Sequence, residues 1–247
     1  MITLHEAKSK QDLKRFVTFP FSLYKNNKYW VPPIINDELE SFDKNKNPVF
    51  KDVDAWFFLA FDGDKLVGRV SAVINRLEVN QQNVKKMRFG WFDFVDDPAV
   101  SKALLDKVAE IGNQHSLEYM EGPVGFSNLD KVGVLVEGFD HIGTMITWYN
   151  HPYYKDHYEN LGFVKEKEYS NHGTYMIEIQ KAYFKKKYIS FINPEYIKFI
   201  KDKEDRLIAF AIVMPSFSEA LQKAKGKLFP YGFYHLLKAK KNSKDVI

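Results

Sequence analysis

Two carboxylates lie where a general base could act. Asp93 is near the end of an apolar, β-rich run, and Glu121 is on the next such run along the chain. Carboxylates at neighbouring strand ends can face one cleft, where burial and nearby charge tune them for proton transfer. Carboxylates are also common near strand ends without any catalytic role. Asp93 and Glu121 are therefore candidate general bases facing a common cleft.

Seven histidines raise the question of a metal site. His141, His151 and His157 fall within one region, but their spacings of ten and six residues match no compact zinc pattern. The chain has no cysteine, which removes thiolate ligands, thiolate nucleophiles and disulfides. Gly122-Pro123-Val124-Gly125 is not followed by Lys-Ser/Thr, and there is no Gly-x-Ser-x-Gly elbow. We expect no metal, and we interpret these histidines as surface or capping residues.

The elements that must position these residues alternate between β-rich and helical patterns. Ala55–Phe61 and Lys65–Ile74 are apolar runs separated by Asp62-Gly63-Asp64, which predicts a hairpin because glycine tolerates positive φ. Asp97-Pro98 predicts a helix start, with Asp97 as N-cap and Pro98 at the first helical position. The remaining predicted elements are a first strand at Ile2–Leu4, a helix capped by Ser9, strands at Met87–Val95 and Leu117–Val124, a short helix around Tyr154–Leu161 and strand residues from Phe163 to Ile179.

This order of elements, together with one local motif, resembles the GCN5-related N-acetyltransferase (GNAT) superfamily. His157-Tyr158-Glu159-Asn160-Leu161-Gly162-Phe163 is similar to the superfamily's Tyr-Glu-x-x-Gly-Phe segment, and Asn150 matches an asparagine often found before that helix. The resemblance implies an α/β fold with a mixed, mainly antiparallel sheet flanked by helices. It also implies acetyl-CoA as a substrate and Tyr158 as the general acid for the departing thiolate. The alternative is a buried tyrosine whose hydroxyl is satisfied at the surface.

More narrowly, the chain resembles a group of bacterial proteins with two tandem acetyltransferase-like domains. The resemblance implies a first domain at residues 1–180 and a partial second copy at residues 181–247. A faint internal repeat agrees with this, since residues 57–74 and 197–214 share an apolar strand, an acidic turn and a second apolar strand. We expect residues 195–214 to form a hairpin like that of 57–74. The matching stretches are Tyr29-Trp30-Val31-Pro32-Pro33, Phe89-Gly90-Trp91-Phe92-Asp93-Phe94, Gly122-Pro123-Val124-Gly125-Phe126, Leu135-Val136-Glu137-Gly138-Phe139-Asp140 and Asn193-Pro194.

The turn that should bind the CoA pyrophosphate departs from the superfamily's pattern. The resemblance assigns cofactor contacts to Phe94, Val95, Ser101 and Asn150, with a Gln/Arg-x-x-Gly-x-Gly/Ala turn around the phosphates. Here that turn is Asp96-Asp97-Pro98-Ala99-Val100-Ser101, which has no glycine and carries two carboxylates. Bare amides at a helix N-terminus cradle phosphate, but Pro98 has no N–H and Asp97 is expected to occupy the amides itself. We therefore expect weak or absent CoA binding.

Charge is distributed unevenly along the chain. The formal net charge is +4, yet residues 181–247 hold 15 Lys and Arg against 6 Asp and Glu. Such a basic segment can mark nucleic-acid binding, but it can also dock on the acidic part of the chain, or its lysines can form a solvated helix face. Its aromatic residues are not interleaved with arginine, which favours either of the last two interpretations over nucleic-acid binding. An aromatic content of 16% predicts a core and clefts lined by Phe and Tyr.

The sequence leaves two functions open. The first is an acyl-CoA-dependent N-acetyltransferase-like protein with an unknown amine or other small-molecule acceptor. The alternative is a non-catalytic acetyltransferase-fold binding protein that has lost the CoA pyrophosphate loop. A homodimer is left open, and we expect neither nucleic acid nor membrane as a partner. The absence of cysteine and of a hydrophobic leader at residues 1–15 favours a cytoplasmic location.

Overall fold

The computed structural model describes residues 1–127, 130–144, 147–166, 197–201, 207–212 and 216–242. The expected strand at Phe163–Ile179, the domain junction near residue 180 and Asn193-Pro194 lie largely or wholly outside these ranges. The elements in chain order are β1 (Ile2–Glu6), α1 (Lys10–Leu23), α2 (Ile35–Ser41), β2 (Val53–Asp62), β3 (Lys65–Asn75), β4 (Lys86–Phe94), α3 (Pro98–Gln114), β5 (Tyr119–Glu121), α4 (Tyr154–Asn160), β6 (Ile197–Lys201), β7 (Leu207–Ile212), α5 (Ser218–Ala224) and α6 (Gly232–Asn242).

One five-stranded sheet organises the first 166 residues, in the order β1-β2-β3-β4-β5. β1 to β4 are antiparallel neighbours, and β5 pairs parallel to β4. The Asp62–Lys65 register closes the β2–β3 hairpin across the acidic turn. The expected mixed, mainly antiparallel sheet flanked by helices is confirmed, as is the run of three antiparallel strands between residues 55 and 95.

The helices begin where the sequence predicts them. Ser9 caps α1, because its Oγ accepts the Asp12 N–H at 3.0 Å. Pro20 lies inside α1, which continues to Leu23. The Phe16 carbonyl, which has no helical donor at Pro20, accepts from Arg69 Nη1 at 2.7 Å. Asp97 caps α3 through the Ala99 N–H at 2.8 Å.

Apolar side chains cover both faces of the sheet. On one face α3 and α4 pack Leu104 and Tyr154 over Phe89 and Phe94. On the other face α1 and α2 bring Phe16 and Phe42 against Phe57, Trp91 and Phe126. The high aromatic content is therefore used in two cores, and edge-to-face pairs such as Phe16–Phe42 join their members.

The C-terminal part holds a second, two-stranded sheet and two helices. Ile197 pairs with Ile212 in an antiparallel β6–β7 ladder, which confirms the predicted hairpin. α5 contacts the first 166 residues, because the Gln222 side-chain amide donates to the carbonyl oxygens of Lys28 and Trp30 at 2.8 and 2.9 Å. Ile35 N–H also donates to the Gly226 carbonyl at 3.0 Å. Residues 222–226 are therefore attached to the segment between α1 and α2.

Candidate functional site

A bulge in β4 decides which way Asp93 points. Met87 and Phe89 face the α3 side of the sheet, and the register against β3 shifts between Arg69 and Ser71. Trp91 has φ of +43°, so one extra residue enters the strand. After this point the β4 side chains point to the two faces of the sheet in the opposite order. Asp93 therefore lies on the α1 face beside its register partner Arg69.

The Asp93 carboxylate is held by four donor groups at the meeting point of two clefts. Arg69 Nε donates to Asp93 Oδ2 at 2.8 Å, and Arg69 Nη2 lies 2.7 Å from the same oxygen. The hydroxyls of Tyr24 and Tyr154 donate to Oδ1 at 2.8 and 3.4 Å. Arg69 also donates from Nη1 to the Phe16 carbonyl at 2.7 Å, which joins α1 to the ion pair.

The two tyrosines stay neutral in this network. Burial raises the pKa of the Tyr24 hydroxyl well above its usual value, and the Asp93 charge raises it further. Burial and Asp93 act on the pKa of Tyr154 in the same direction. Neutral hydroxyls interact with the Asp93 carboxylate as donors, so its oxygens are already engaged by protein groups. The geometry gives it less capacity as a general base than the sequence predicts.

Tyr158 reaches a cleft beside this network, here termed the inner cleft. The inner cleft is lined by Asp93, Trp148, Asn150, Tyr154 and Tyr158, among others. The Tyr158 hydroxyl is buried and has no hydrogen-bond partner among the described residues. Burial, followed by the Asp93 charge, raises its pKa well above the usual value. A neutral phenol directed into a cleft without a partner can donate one hydrogen bond to a bound molecule.

Asn150 is committed to its own loop. Its Oδ1 accepts the Leu135 N–H at 2.7 Å, and its Nδ2 donates to the carbonyls of Leu135 and His151, both at 3.0 Å. All the hydrogens of the side-chain amide are thus used to fold the loop over the inner cleft. The structure places Asn150 at the cleft wall as a support for that loop.

Within the turn from Asp96 to Ser101, the amides at the start of α3 are already bonded to Asp97. Pro98 has no N–H, and Asp97 Oδ1 accepts the Ala99 N–H. The N–H groups of Val100 and Ser101 bond to the Asp97 carbonyl at 3.0 and 3.2 Å. The expected self-capping by Asp97 is confirmed, and the helix N-terminus that should bind pyrophosphate is satisfied internally.

The edge of β4 next to this turn is also occupied. β5 pairs with β4 only from Lys86 to Arg88, and the edge beyond has no strand neighbour among the described residues. An extended ligand could pair with such an edge. Instead the Phe94 N–H donates to the Tyr154 hydroxyl at 3.2 Å, and the Tyr153 hydroxyl donates to the Phe94 carbonyl at 2.6 Å. The Val95 N–H faces the other way and bonds to Val67.

Ser101, His157 and Asp96 form a hydrogen-bonded chain that looks like a hydrolytic triad. Ser101 Oγ lies 2.7 Å from His157 Nδ1, and His157 Nε2 lies 3.0 Å from Asp96 Oδ1. Ser101 is only 1% exposed and also donates to the Pro98 carbonyl. A nucleophile must reach its substrate, so this chain of groups pins α4 to the start of α3 and performs no nucleophilic chemistry.

Glu121 lies away from these clefts. Its carboxylate pairs with Lys86 Nζ, and its register partner on β4 is Arg88. Asp93 is five residues further along β4, about 16 Å at the usual strand rise. The structure therefore does not bring Asp93 and Glu121 to a common cleft. Glu121 belongs to a charged group at the opposite end of β4, together with Glu78.

A second cleft, here termed the outer cleft, opens on the α1 side of Asp93. Its cavity volume is about 30 Å³, and it opens to solvent. Sequence reasoning missed the residues that shape it, which include Tyr24, Trp30, Glu38, Lys131 and Trp148. Arg69 carried a signal, because it is a lone charge in the apolar run Val67–Ala72. The other residues of the cleft come from distant segments, and no local pattern in the sequence marks them.

No group of three or more His, Asp or Glu side chains is arranged to hold a metal ion in the part of the chain that the structure describes. No helix within the described ranges is long and apolar enough to cross a membrane.

Several solved structures similar to this chain are described as acetyltransferases. They include a predicted acetyltransferase of Clostridium acetobutylicum solved with acetyl-CoA, at 9% identity and a TM-score of 0.44 over 70% of this chain and 96% of that one. An aminoglycoside acetyltransferase from an uncultured soil sample, in complex with trehalose, has 12% identity and a TM-score of 0.42 over 72% and 97%. A tandem GNAT protein from the clavulanic acid biosynthesis pathway has 11% identity and a TM-score of 0.36 over 47% and 34%. No family model matches the chain.

Two curated relatives are similar in sequence. Protein YghO of Escherichia coli is 31% identical over 157 residues, which are 64% of this chain and 40% of that protein. A bacterial ceramide synthase of Caulobacter vibrioides is 28% identical over 163 residues, which are 66% of this chain and 42% of that protein. The chain thus spans about two fifths of the length of the curated relatives it matches.

Proposed function

We propose that this chain is an acetyltransferase-fold protein that binds a small molecule beside Asp93 and does not hold CoA by itself. The single observation that carries the proposal is the internal satisfaction of the α3 N-terminus. The amides of Ala99, Val100 and Ser101 all bond to Asp97, so a pyrophosphate would have to displace existing hydrogen bonds. Two nearby carboxylates would add repulsion.

The β4 edge supports the same proposal. The backbone N–H and carbonyl of Phe94 already bond to tyrosine hydroxyls of the α4 segment. Those are the groups that an extended pantetheine-like chain would need at this edge. The clefts beside Asp93 remain, and their lining combines aromatic walls with a few polar groups, as small-molecule sites usually do.

We also propose the domain arrangement that the tandem resemblance implies. Residues 1–180 would form the acetyltransferase-like domain, and residues 181–247 a partial second copy. The β6–β7 hairpin supports this, because it repeats the β2–β3 hairpin in pairing and in strand order.

A second candidate is acyl transfer to an amine by this chain. The unpartnered Tyr158 hydroxyl in the inner cleft favours it, since a general acid must be free to donate. One relative is named a ceramide synthase, and a ceramide is an amide, so its synthesis is an N-acylation. For this candidate acetyl-CoA is the donor substrate and Tyr158 the acid, with Asp93 orienting the tyrosines around it.

Calorimetric titration with acetyl-CoA separates the two candidates. We expect the unmodified chain to show no binding up to about 1 mM acetyl-CoA. This means a binding free energy weaker than about 4 kcal/mol. The double variant Asp97→Gly, Pro98→Gly should gain measurable binding, because it frees amides and removes one carboxylate. Asp64→Gly is the matched control, since it removes an exposed turn carboxylate elsewhere.

Sub-micromolar affinity in the unmodified chain would overturn the binding-protein proposal. It would also make Tyr158 the leading acid. In that case Tyr158→Phe should lower acyl transfer to an amine by about 100-fold while leaving acetyl-CoA affinity unchanged.

A further inference from the structure

The outer cleft carries an inference about its ligand, which rests on the proposed function that this chain binds a small molecule beside Asp93. The cleft lies between the α1–α2 segment on one side and residues 131–144 and 147–149 on the other. The Tyr149 hydroxyl, which accepts from Asn27 Nδ2 at 2.9 Å and donates to the Phe139 carbonyl at 3.0 Å, joins these two walls. The walls are therefore held at a set separation.

Aromatic rings form most of the apolar lining. Trp30 packs on Tyr24 at 5.3 Å between ring centroids, and Trp91 packs on Trp148 at 6.0 Å. All four line the outer cleft together with Tyr149. Rings on opposing walls suit a flat or branched apolar body, and their faces attract a cation placed against them.

Within the described part of the chain, two charged side chains in the outer cleft have no ionic partner. Glu38 Oε2 accepts the Trp91 indole N–H at 3.0 Å, and no cation pairs with this carboxylate within the described ranges. Lys131 lines the cleft from the facing loop, and across those same ranges its ammonium has neither a carboxylate partner nor a hydrogen bond. The two residues are not within ion-pair distance of each other. The only other charges in the lining, Arg69 and Asp93, neutralise one another.

We propose that the outer cleft binds a zwitterion, with one ammonium and one carboxylate on an apolar body, as in a free amino acid with an aromatic side chain. Glu38 would hold the ammonium against the indole faces, and Lys131 would hold the carboxylate. The charges in the site favour this class, because one unpaired anion and one unpaired cation match a ligand of zero net charge. A phosphate monoester would leave excess negative charge beside Asp93.

Three probes of the same shape test the proposal by calorimetry on the full chain. Phenylalanine carries both charges, 2-phenylethylamine carries only the ammonium, and 3-phenylpropanoate carries only the carboxylate. We expect phenylalanine to bind at least about tenfold more tightly than either single-charge probe, since each added ion contact at a partly buried site contributes about 1.4 kcal/mol or more. Equal affinity for phenylalanine and 2-phenylethylamine would overturn the role of Lys131 and with it the zwitterion.

Two variants assign each charge. Glu38→Gln keeps an oxygen for the Trp91 indole and should reduce phenylalanine affinity to that of 3-phenylpropanoate. Lys131→Met should reduce it to that of 2-phenylethylamine. Glu40→Gln is the control on the same helix, because Glu40 pairs with Lys46 at the surface and should leave binding unchanged.

The acetyl-CoA titration is independent of these measurements. If none of the three probes binds, the zwitterion proposal is overturned. The proposed lack of CoA binding would still be decided by its own experiment.

Discussion

At the scale of single residues, the acceptor positions of Asp93 are all directed at the protein's own donors. A buried carboxylate needs such compensation, because removing one partner of a buried ion pair costs about 3–5 kcal/mol. Arg69 supplies the opposite charge, and Tyr24 and Tyr154 supply neutral hydroxyls. The free donor capacity in this region therefore belongs to Tyr158 and not to the residues that surround Asp93.

Replacing Tyr158 by Phe should stabilise the fold, because it removes a buried hydroxyl with no partner among the described residues. We expect the free energy of unfolding to rise by about 1 kcal/mol, measured by urea denaturation. Tyr154→Phe is the matched control, and it should lower stability by about 1–3 kcal/mol because the Tyr154 hydroxyl has partners in Tyr24, Asp93 and Phe94. A loss of stability in Tyr158→Phe would mean that its hydroxyl has a partner in the folded chain.

At the scale of elements, the junction between β4 and β5 depends on the absence of side chains. A Cβ on Gly90 would lie 2.3 Å from the Val124 carbonyl oxygen, and one on Gly122 would lie 2.5 Å from the Phe89 carbonyl oxygen. Both neighbours are backbone atoms, which cannot rotate away. The loop that follows β5 can therefore cross the β4 edge closely enough to form the inner cleft.

We predict that Gly90→Ala destabilises the protein by about 3 kcal/mol or more, because the backbones must separate. Gly63→Ala is the control. It lies in the β2–β3 turn at φ of +56° with no atom within 4 Å of its new Cβ. That variant should cost about 1 kcal/mol from backbone strain alone. Thermal unfolding of the two variants measures the difference, and equal shifts in Tm would contradict the close approach at Gly90.

The sequence predicts the elements better than it predicts the site. The Asp62-Gly63-Asp64 turn and the Asp97-Pro98 cap are local signals, and both features form as predicted. The contact between Tyr24 and Asp93 joins residues 69 positions apart, and no local pattern encodes such a pair. The bulge at Trp91 has no signal either, since tryptophan rarely adopts positive φ.

The separation of Asp93 from Glu121 could not be predicted for the same reason, because it depends on contacts between distant parts of the chain. Their strands are neighbours, as predicted, but parallel pairing starts at Lys86 and ends at Arg88. Register sets how far apart two side chains lie, and it depends on contacts across the sheet.

At the scale of the whole molecule, charge pairs at the end of β4 make stability depend on acidity. Burial disfavours the charged form of Glu78, but Arg88 and Lys86 outweigh it and lower the pKa of this carboxyl below its usual 4.5. A carboxyl with a lowered folded pKa contributes stability above its unfolded pKa and loses it as the pH falls through the folded value.

We therefore expect Glu78→Gln to lower stability at pH 7 and to flatten the dependence of stability on pH below about 4.5, where the unfolded carboxyl takes up its proton. Urea denaturation at pH 7 and pH 3.5 measures both effects. Glu110→Gln on the surface of α3 is the control and should change neither. An unchanged pH profile in Glu78→Gln would show that the ion pair between Glu78 and Arg88 does not contribute to stability.

The C-terminal segment exposes apolar side chains next to lysines. Phe229, Tyr231 and Leu237 are 78%, 74% and 58% exposed. Exposed apolar patches favour association, while like charges oppose it.

We predict concentration-dependent self-association that strengthens as salt screens the lysines. Sedimentation velocity at two salt concentrations measures it. The double variant Phe229→Ser, Leu237→Ser should stay monomeric, and Val164→Ser, at another exposed apolar residue, should behave like the unmodified chain.

The aromatic lining of the outer cleft has a spectroscopic consequence. Of the four tryptophans in the chain, Trp30, Trp91 and Trp148 line that cleft. The fourth, Trp56, packs beside His115 on another part of the sheet. Tryptophan fluorescence of the protein is thus dominated by the cleft, and Trp56→Phe would leave only cleft tryptophans. Any molecule that displaces water from these indoles should shift their emission, so occupancy can be followed by ultraviolet excitation without an attached dye.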